Sequence, residues 1–183
     1  MKRLFLLRHA KSSWGAPQLR DIDRPLNSRG EMAAPIIANY IKENNLTPDH
    51  IICSMAVRTR QTLALMAPAF ENIPVLYDRT IYEASCDVLF QRIQACDDQY
   101  NTVLVIGHNP GMQSLAMALC GMGVTSDAHM NLMQKFPTAA LACMDLRITH
   151  WADLAEECGT LTRFIRPRDL DDRLRPDPGS AFL

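Results

Sequence analysis

A chain of 183 residues with 48% hydrophobic content has enough apolar material for one compact domain with a sizeable core. Its 19 Lys and Arg against 20 Asp and Glu leave a net charge of −1, which excludes a general nucleic-acid binder but leaves room for a local basic pocket. No apolar run approaches the ~18 residues that span a bilayer, so no membrane association is expected.

The first element is an apolar run, Arg3-Leu4-Phe5-Leu6-Leu7, followed at once by Arg8-His9-Ala10-Lys11-Ser12-Ser13. It reads as a buried strand of an α/β sheet. The flanking Lys2 and Arg3 give it a superficial likeness to a signal peptide. The apolar part is too short, and Arg8 and His9 interrupt it, so a cytoplasmic protein is expected. Ligands of open α/β sheets bind outside the carboxyl ends of the strands, where Arg8 and His9 would sit.

A polar, turn-rich stretch from Trp14 to Ser28 carries Asp21, Asp23, Arg24 and Pro25, and is long enough to be a functional loop. Helical periodicity begins near Gly30 and Glu31 and ends at Asn44-Asn45, before Pro48. Ile51-Ile52-Cys53 reads as a second buried strand. The segment from Ser54 to Thr62 leads into an apolar-periodic helix over 63–70, with Ser54 as its cap and Arg58 within about a turn of its start, a position that favours anions. Arg60 points elsewhere.

Val75-Leu76-Tyr77 is a short strand, and the loop beyond it carries Tyr82-Glu83. A helix over 87–95 precedes the clearest strand, Thr102-Val103-Leu104-Val105-Ile106. That strand ends in Gly107-His108-Asn109-Pro110, with Pro110 suited to the first turn of the next helix. Residues 120–135 read as a loop with at most a short helix. Strands over 139–147 and 159–165 form an antiparallel edge. From 171 to 183 the chain is expected to be an extended, mobile tail after a domain spanning 1–170. The six cysteines form no C-x-x-C pair, so free thiols and no zinc site are expected.

The strand ends thus gather Arg8, His9, Arg58 and His108, with Glu83 on a loop between. Two guanidiniums suit the oxygens of a phosphoryl group. A neutral imidazole is a competent nucleophile, a second imidazole can donate to the transferring group, and a carboxyl can protonate a leaving atom. There is no P-loop and no G-x-G-x-x-G, and nothing in the set demands a metal or cofactor.

Leu7-Arg8-His9-Ala10-Lys11, Ser54 to Thr62, Tyr82-Glu83 and Gly107-His108-Asn109-Pro110 together resemble the histidine phosphatase (phosphoglycerate mutase-like) superfamily. Within it the likeness is to small bacterial phosphohistidine phosphatases of the SixA type. Further likenesses are Asp23-Arg24-Pro25-Leu26-Asn27 with Gly30, Lys135-Phe136-Pro137-Thr138, and Arg166-Pro167-Arg168-Asp169-Leu170. The resemblance implies a three-layer α/β/α sandwich with a mostly parallel sheet and an antiparallel edge. It also implies a covalent phosphohistidine on His9 and a phosphate pocket of Arg8, Arg58 and His108, with the motif neighbours Lys11, Ser12 and Asn109 in contact with substrate. Glu83 resembles the family's proton donor by position; Asp21 and Asp23 are rival acids, but as loop residues they are expected to cap, to pair with Arg20 or Arg24, or to face solvent. Ala10 departs from the glycine usual after the histidine.

The partner implied is a phosphorylated protein, or else a small phosphate ester. Between Glu83 and His108 there is room for one helix and one strand, which leaves no long lid and favours a protein-borne phosphohistidine. A small-molecule phosphomonoesterase and a non-catalytic phospho-ligand module are the alternatives.

Overall fold

The computed structural model describes residues 1–15, 17–121 and 126–175. Strand β1 (Lys2–Arg8) leads to helix α1 (Ser28–Glu43), β2 (His50–Ser54), α2 (Val57–Met66), β3 (Val75–Asp78), α3 (Cys86–Gln94) and β4 (Thr102–Gly107). Helices α4 (Gly111–Cys120) and α5 (Asp127–Gln134) precede β5 (Leu141–Leu146) and β6 (Gly159–Ile165), and a short α6 (Pro167–Leu170) follows.

The strands form one six-stranded sheet in the order β3-β2-β4-β1-β5-β6. The pairs β1–β4, β2–β4 and β2–β3 are parallel, whereas β5 runs antiparallel to both β1 and β6. This is the mostly parallel sheet with an antiparallel edge expected from the sequence. The period of two along each strand divides the core between two faces. Leu4, Leu6, Val103 and Val105 pack with Leu89 of α3 and Leu115 of α4. Phe5, Leu7, Leu104 and Ile106 pack with Ile37 of α1 and Leu63 and Met66 of α2. Helices on both faces make three layers.

Helix boundaries differ from the sequence reading where polar residues are buried. Helix α2 starts at Val57, with Ala56 as N-cap and no side-chain cap bond, so Ser54 is the end of β2 and not a cap. The apolar pattern missed this turn because its buried positions are Arg58, Thr59 and Thr62. The helix stops at Met66, and residues Ala67–Ala69 form a 3-10 turn. Pro110 is the N-cap of α4, one residue before its first turn. Strand β5 begins at Leu141 because Ala139 has φ +58° and leaves the extended region. In the segment read as a loop with at most a short helix, α5 spans eight residues, and residues 122–125 of that segment lie outside the described residues. Of the expected tail, Asp172–Leu174 form a 3-10 turn with Leu174 buried against the α1 face, and residues 176–183 lie outside the described residues.

All six cysteines are free, and burial pushes the Cys53 and Cys143 thiols up to about 12. No helix among the described residues is long and apolar enough to cross a membrane.

One close approach fixes the segment after β1. Asn27 caps α1 by accepting from Gly30 N at 3.0 Å, while Asn27 N donates to Lys11 O at 3.0 Å. A Cβ on Gly30 would lie 2.2 Å from Lys11 O and 2.9 Å from Lys11 N, both backbone atoms that cannot rotate away. Alanine for glycine in a helix ordinarily gains up to about 1 kcal/mol. Gly30→Ala is expected to reverse that sign and destabilise by about 1–3 kcal/mol, read as a lower urea midpoint. An unchanged or raised midpoint would contradict the packing described.

Candidate active site

Arg8 lies in register with Gly107 on the neighbouring parallel strand, so His9 and His108 leave adjacent strands side by side. His9 N donates to Gly107 O at 3.0 Å, and the two imidazole centroids are 5.2 Å apart. The helix after β1 lies on one face of the sheet and the helix after β4 on the other, which opens a crevice between these two strand ends. Ser54, at the end of β2, closes it from the far side of β4. The cleft has a volume of about 210 Å³, and its wall includes Arg8, His9, Arg58 and His108.

The hydrogen bonds assign both imidazoles. His9 Nδ1 lies 2.8 Å from Ala10 O, and a carbonyl only accepts, so Nδ1 carries the proton. Nε2 keeps its lone pair and has no protein partner among the described residues. His108 Nδ1 lies 3.3 Å from Arg58 Nη2, and a guanidinium only donates, so this nitrogen accepts. The proton of His108 is on Nε2, which donates to Ser54 Oγ at 2.8 Å. Burial lowers His9 to about 3, with Arg58, Arg8 and Arg24 adding to it against the opposing Ala10 hydrogen bond. His108 is also lowered to about 3, first by burial and then by His9 and Arg58.

Arg58 joins four segments. Its side chain is 2% exposed. Nη1 donates to Asp21 O at 2.6 Å and Nη2 to Asp21 Oδ2 at 2.9 Å. Glu83 Oε1 lies 3.5 Å from Nη2. Asp21 also accepts from Tyr82 Oη at 2.6 Å and from Arg24 Nε at 2.8 Å. Burial raises the proton affinity of Asp21, but the Tyr82 bond and the Arg58 and Arg24 guanidiniums outweigh it and hold the carboxyl well below the usual carboxylate range. Asp21 is therefore a structural anion and not a proton donor. Asp23 pairs with Arg20 at 2.6 Å on the surface. Glu83, with φ +48° and a side chain 54% exposed, is the carboxyl at the rim.

The remaining expected residues also reach the cleft, in different ways. Arg8 Nη1 donates to Phe136 O at 2.9 Å. Arg8 Nε and Arg58 Nε are buried N–H groups without a protein partner among the described residues. Asn109 directs Nδ2 at Phe136 O and at Gln113 Oε1, 3.1 and 3.2 Å away, so its donors brace the cleft wall. Ser12 Oγ accepts from Arg24 Nη1 at 3.2 Å, and Lys11 is an exposed cation on the wall. The Ala10 methyl belongs to the core on the α1 face and does not narrow the cleft, while Ala10 N donates to Thr62 Oγ1 at 3.0 Å. Among the described residues no three His, Cys, Asp or Glu side chains converge as metal ligands.

Pairing of Asp21 and Asp23 with Arg24 and Arg20 was expected from the sequence and is seen, whereas site roles for Ser54 and Tyr82, and the bonds of Asp21 to Arg58 and Tyr82, were not assigned. Arg24 is buried, lines the cleft, and lies 3.5 Å from the centroid of the Trp14 ring. The signals for this loop were its density of Asp and Arg and the family-like run Asp23-Arg24-Pro25-Leu26-Asn27, neither of which assigned Arg24 to the cleft.

The fold has counterparts among known proteins. The model of the histidine phosphatase superfamily (branch 1) matches residues 4–101, and the chain belongs to that superfamily. The fold is that of its SixA-type members. A candidate phosphohistidine phosphatase SixA from Agrobacterium tumefaciens superposes with a TM-score of 0.77 at 35% identity, covering 91% of this chain and 98% of that one. Its counterpart from Nakamurella multipartitia gives a TM-score of 0.79 at 29% identity, covering 91% and 96%. An uncharacterised protein of Mycobacterium leprae is 33% identical over 165 residues, 88% of this chain and 100% of its own length.

Two outcomes are expected. Asp21→Asn removes the charge that holds Arg58, and kcat/KM for p-nitrophenyl phosphate should fall about 10- to 100-fold, chiefly through KM. Asp23→Asn, at a surface pair, should leave it unchanged, and equal effects of the two would contradict the assignment. The second concerns pH. Both histidines have folded values of about 3, below the ordinary 6.5, so the unfolded chain takes up protons that the native site refuses. Stability is expected to be complete above about pH 6.5 and to decline as pH falls toward 3. His50, also lowered by burial, contributes the same sign. Urea midpoints between pH 7 and 4.5 should fall less steeply in His9→Asn/His108→Asn than in the wild type, and identical slopes would refute the neutral pair.

Proposed function

We propose that this phosphatase-superfamily chain hydrolyses phosphohistidine on a protein substrate through a covalent phosphohistidine on His9. The observation that carries the reading is the tautomer of His9, with Nδ1–H held by the Ala10 carbonyl and Nε2 unpartnered on the cleft wall.

In the first step Nε2 of His9 attacks phosphorus, the bond from phosphorus to the leaving nitrogen breaks, and the substrate imidazole departs with its ring protonated. The phosphoryl oxygens lie among Arg8, Arg58 and His108, whose guanidinium and imidazole groups line the cleft and suit an anion. A dianion in this position also raises the proton affinity of His108, opposite in sign to Arg58 and Arg8 beside it. In the second step water attacks the phosphorus on His9, inorganic phosphate leaves, and neutral His9 is restored.

Asp21 is held as an anion, so Glu83 is the one cleft carboxyl among the described residues left to protonate a poor leaving group. A phosphoramidate nitrogen leaves far more readily than an alkoxide and depends on it less. The open rim, with Trp14 73% exposed, supports a protein-borne phosphate over a metabolite in a closed cavity. The 35% identity to the Agrobacterium protein supports the same substrate class.

The test is phosphate release from a histidine-phosphorylated carrier protein with chelator present. Wild type should release phosphate, and His9→Ala should lose about 1,000-fold or more. Full turnover by His9→Ala would refute the nucleophile, and turnover of small phosphate esters alone would reassign the substrate. Glu83→Gln should impair alkyl phosphate turnover more than phosphohistidine turnover, and equal losses on both would remove its role as a leaving-group acid.

A further inference from the structure

A second cavity, about 190 Å³, lies beside the catalytic cleft and shares Lys11 and Thr138 with it. Its walls come from segments that the chemistry above does not use. Arg29 lies in the first turn of α1, Lys135 follows α5, and Arg166 and Arg168 flank Pro167 at α6. Lys11, Arg29, Lys135, Arg166 and Arg168 line the cavity and no Asp or Glu is among its lining residues, in a chain whose net charge is −1. Such a local excess of one sign on a near-neutral protein concentrates anions at that place.

The pairing within the cavity narrows the kind of anion. Arg166 is committed, with Nε 2.9 Å from Asp169 Oδ2 and Nη1 2.7 Å from Asn131 Oδ1. Arg29 donates Nη2 to the Leu174 carbonyl, which orients it without neutralising it. Lys11, Lys135 and Arg168 are exposed and make no ion pair among the described residues. The charges left over, on Lys11, Arg29, Lys135 and Arg168, are long, separate cations from four segments rather than one converging fork. They suit several carboxylates spread along an extended chain better than a single tightly held phosphate. Lys11 stands at the junction, so an anion in this cavity and a phosphoryl group at His9 would belong to one continuous ligand.

We infer that this cavity binds acidic side chains of the substrate protein next to its phosphorylated residue, so that phosphohistidine in an acidic segment is preferred. The inference rests on the phosphoprotein reading of the catalytic site. Its test is therefore built on binding as well as turnover. The probes are a fluorescein-labelled peptide with histidine flanked by aspartates and its twin with asparagines, each also phosphorylated on histidine. The variant is Lys135→Ala/Arg168→Ala, which leaves the catalytic cleft and p-nitrophenyl phosphate turnover unchanged.

Wild type should bind the aspartate peptide more tightly than its twin at low salt, and the double variant should lose about three- to tenfold of that affinity. The same ratio should appear in kcat/KM for the phosphorylated pair. Equal binding of the aspartate peptide by wild type and variant overturns the inference, whatever the turnover. Binding that depends on Lys135 and Arg168 without phosphohistidine hydrolysis upholds the cavity and refutes the proposed reaction instead.

Discussion

The site depends on the buried guanidinium of Arg58. A charge with a side chain 2% exposed is tolerated only when paired and hydrogen-bonded, and Asp21 does both through its carbonyl and its carboxylate. The same guanidinium touches His108 and Glu83, so one side chain ties the loop after β1, helix α2, the loop before α3 and the end of β4. It also acts at a distance. Burial chiefly disfavours the proton on His9, and Arg58 adds to it with Arg8 and Arg24, which keeps the nucleophile neutral. The cations that would hold a phosphoryl group thus reinforce the burial that keeps its attacker unprotonated.

The fold makes this arrangement available through two features. The crevice between β1 and β4 places His9 and His108 side by side without any loop having to find its partner. Helix α2 then supplies struts: Thr62 accepts from Ala10 N and donates to Arg58 O, and Thr59 donates to Ser54 O. An interior helix face made of Arg58, Thr59 and Thr62 is a poor stripe for packing and a good frame for polar groups. The close contact of Gly30 with Lys11 seats the segment after His9 against α1.

The elements legible in the sequence were those marked by apolar runs, including β3, whose Val75, Leu76 and Tyr77 are nonetheless exposed. The runs at 4–7 and 102–106 became the paired central strands, and the histidines that end them became the cleft. Helix α2 was misplaced because its first turn buries polar side chains, so periodicity began only at Leu63. For the same reason Ser54 read as a cap, although its hydroxyl meets His108, 54 residues away. For Asp21 the sequence indicated a loop acid and its local pairing with Arg24, three residues on, but not its long-range role. Its role depends on Arg58, 37 residues on, and Tyr82, 61 residues on, and no local pattern encodes such a meeting. Likewise Lys135 and Arg166 stood in separate motifs with no assigned chemistry until the fold brought them to one cavity.

The central claim is that His9 carries the phosphoryl group between the two chemical steps. Its most direct measurement is to mix enzyme with a phosphorylated substrate, quench with alkali in the steady state, and map the phosphorylated peptide by mass spectrometry. The account predicts phosphate on His9, chased to inorganic phosphate on longer incubation and absent from His9→Ala. Phosphate trapped on another residue, or turnover with no adduct in a variant that lacks His9, would contradict it.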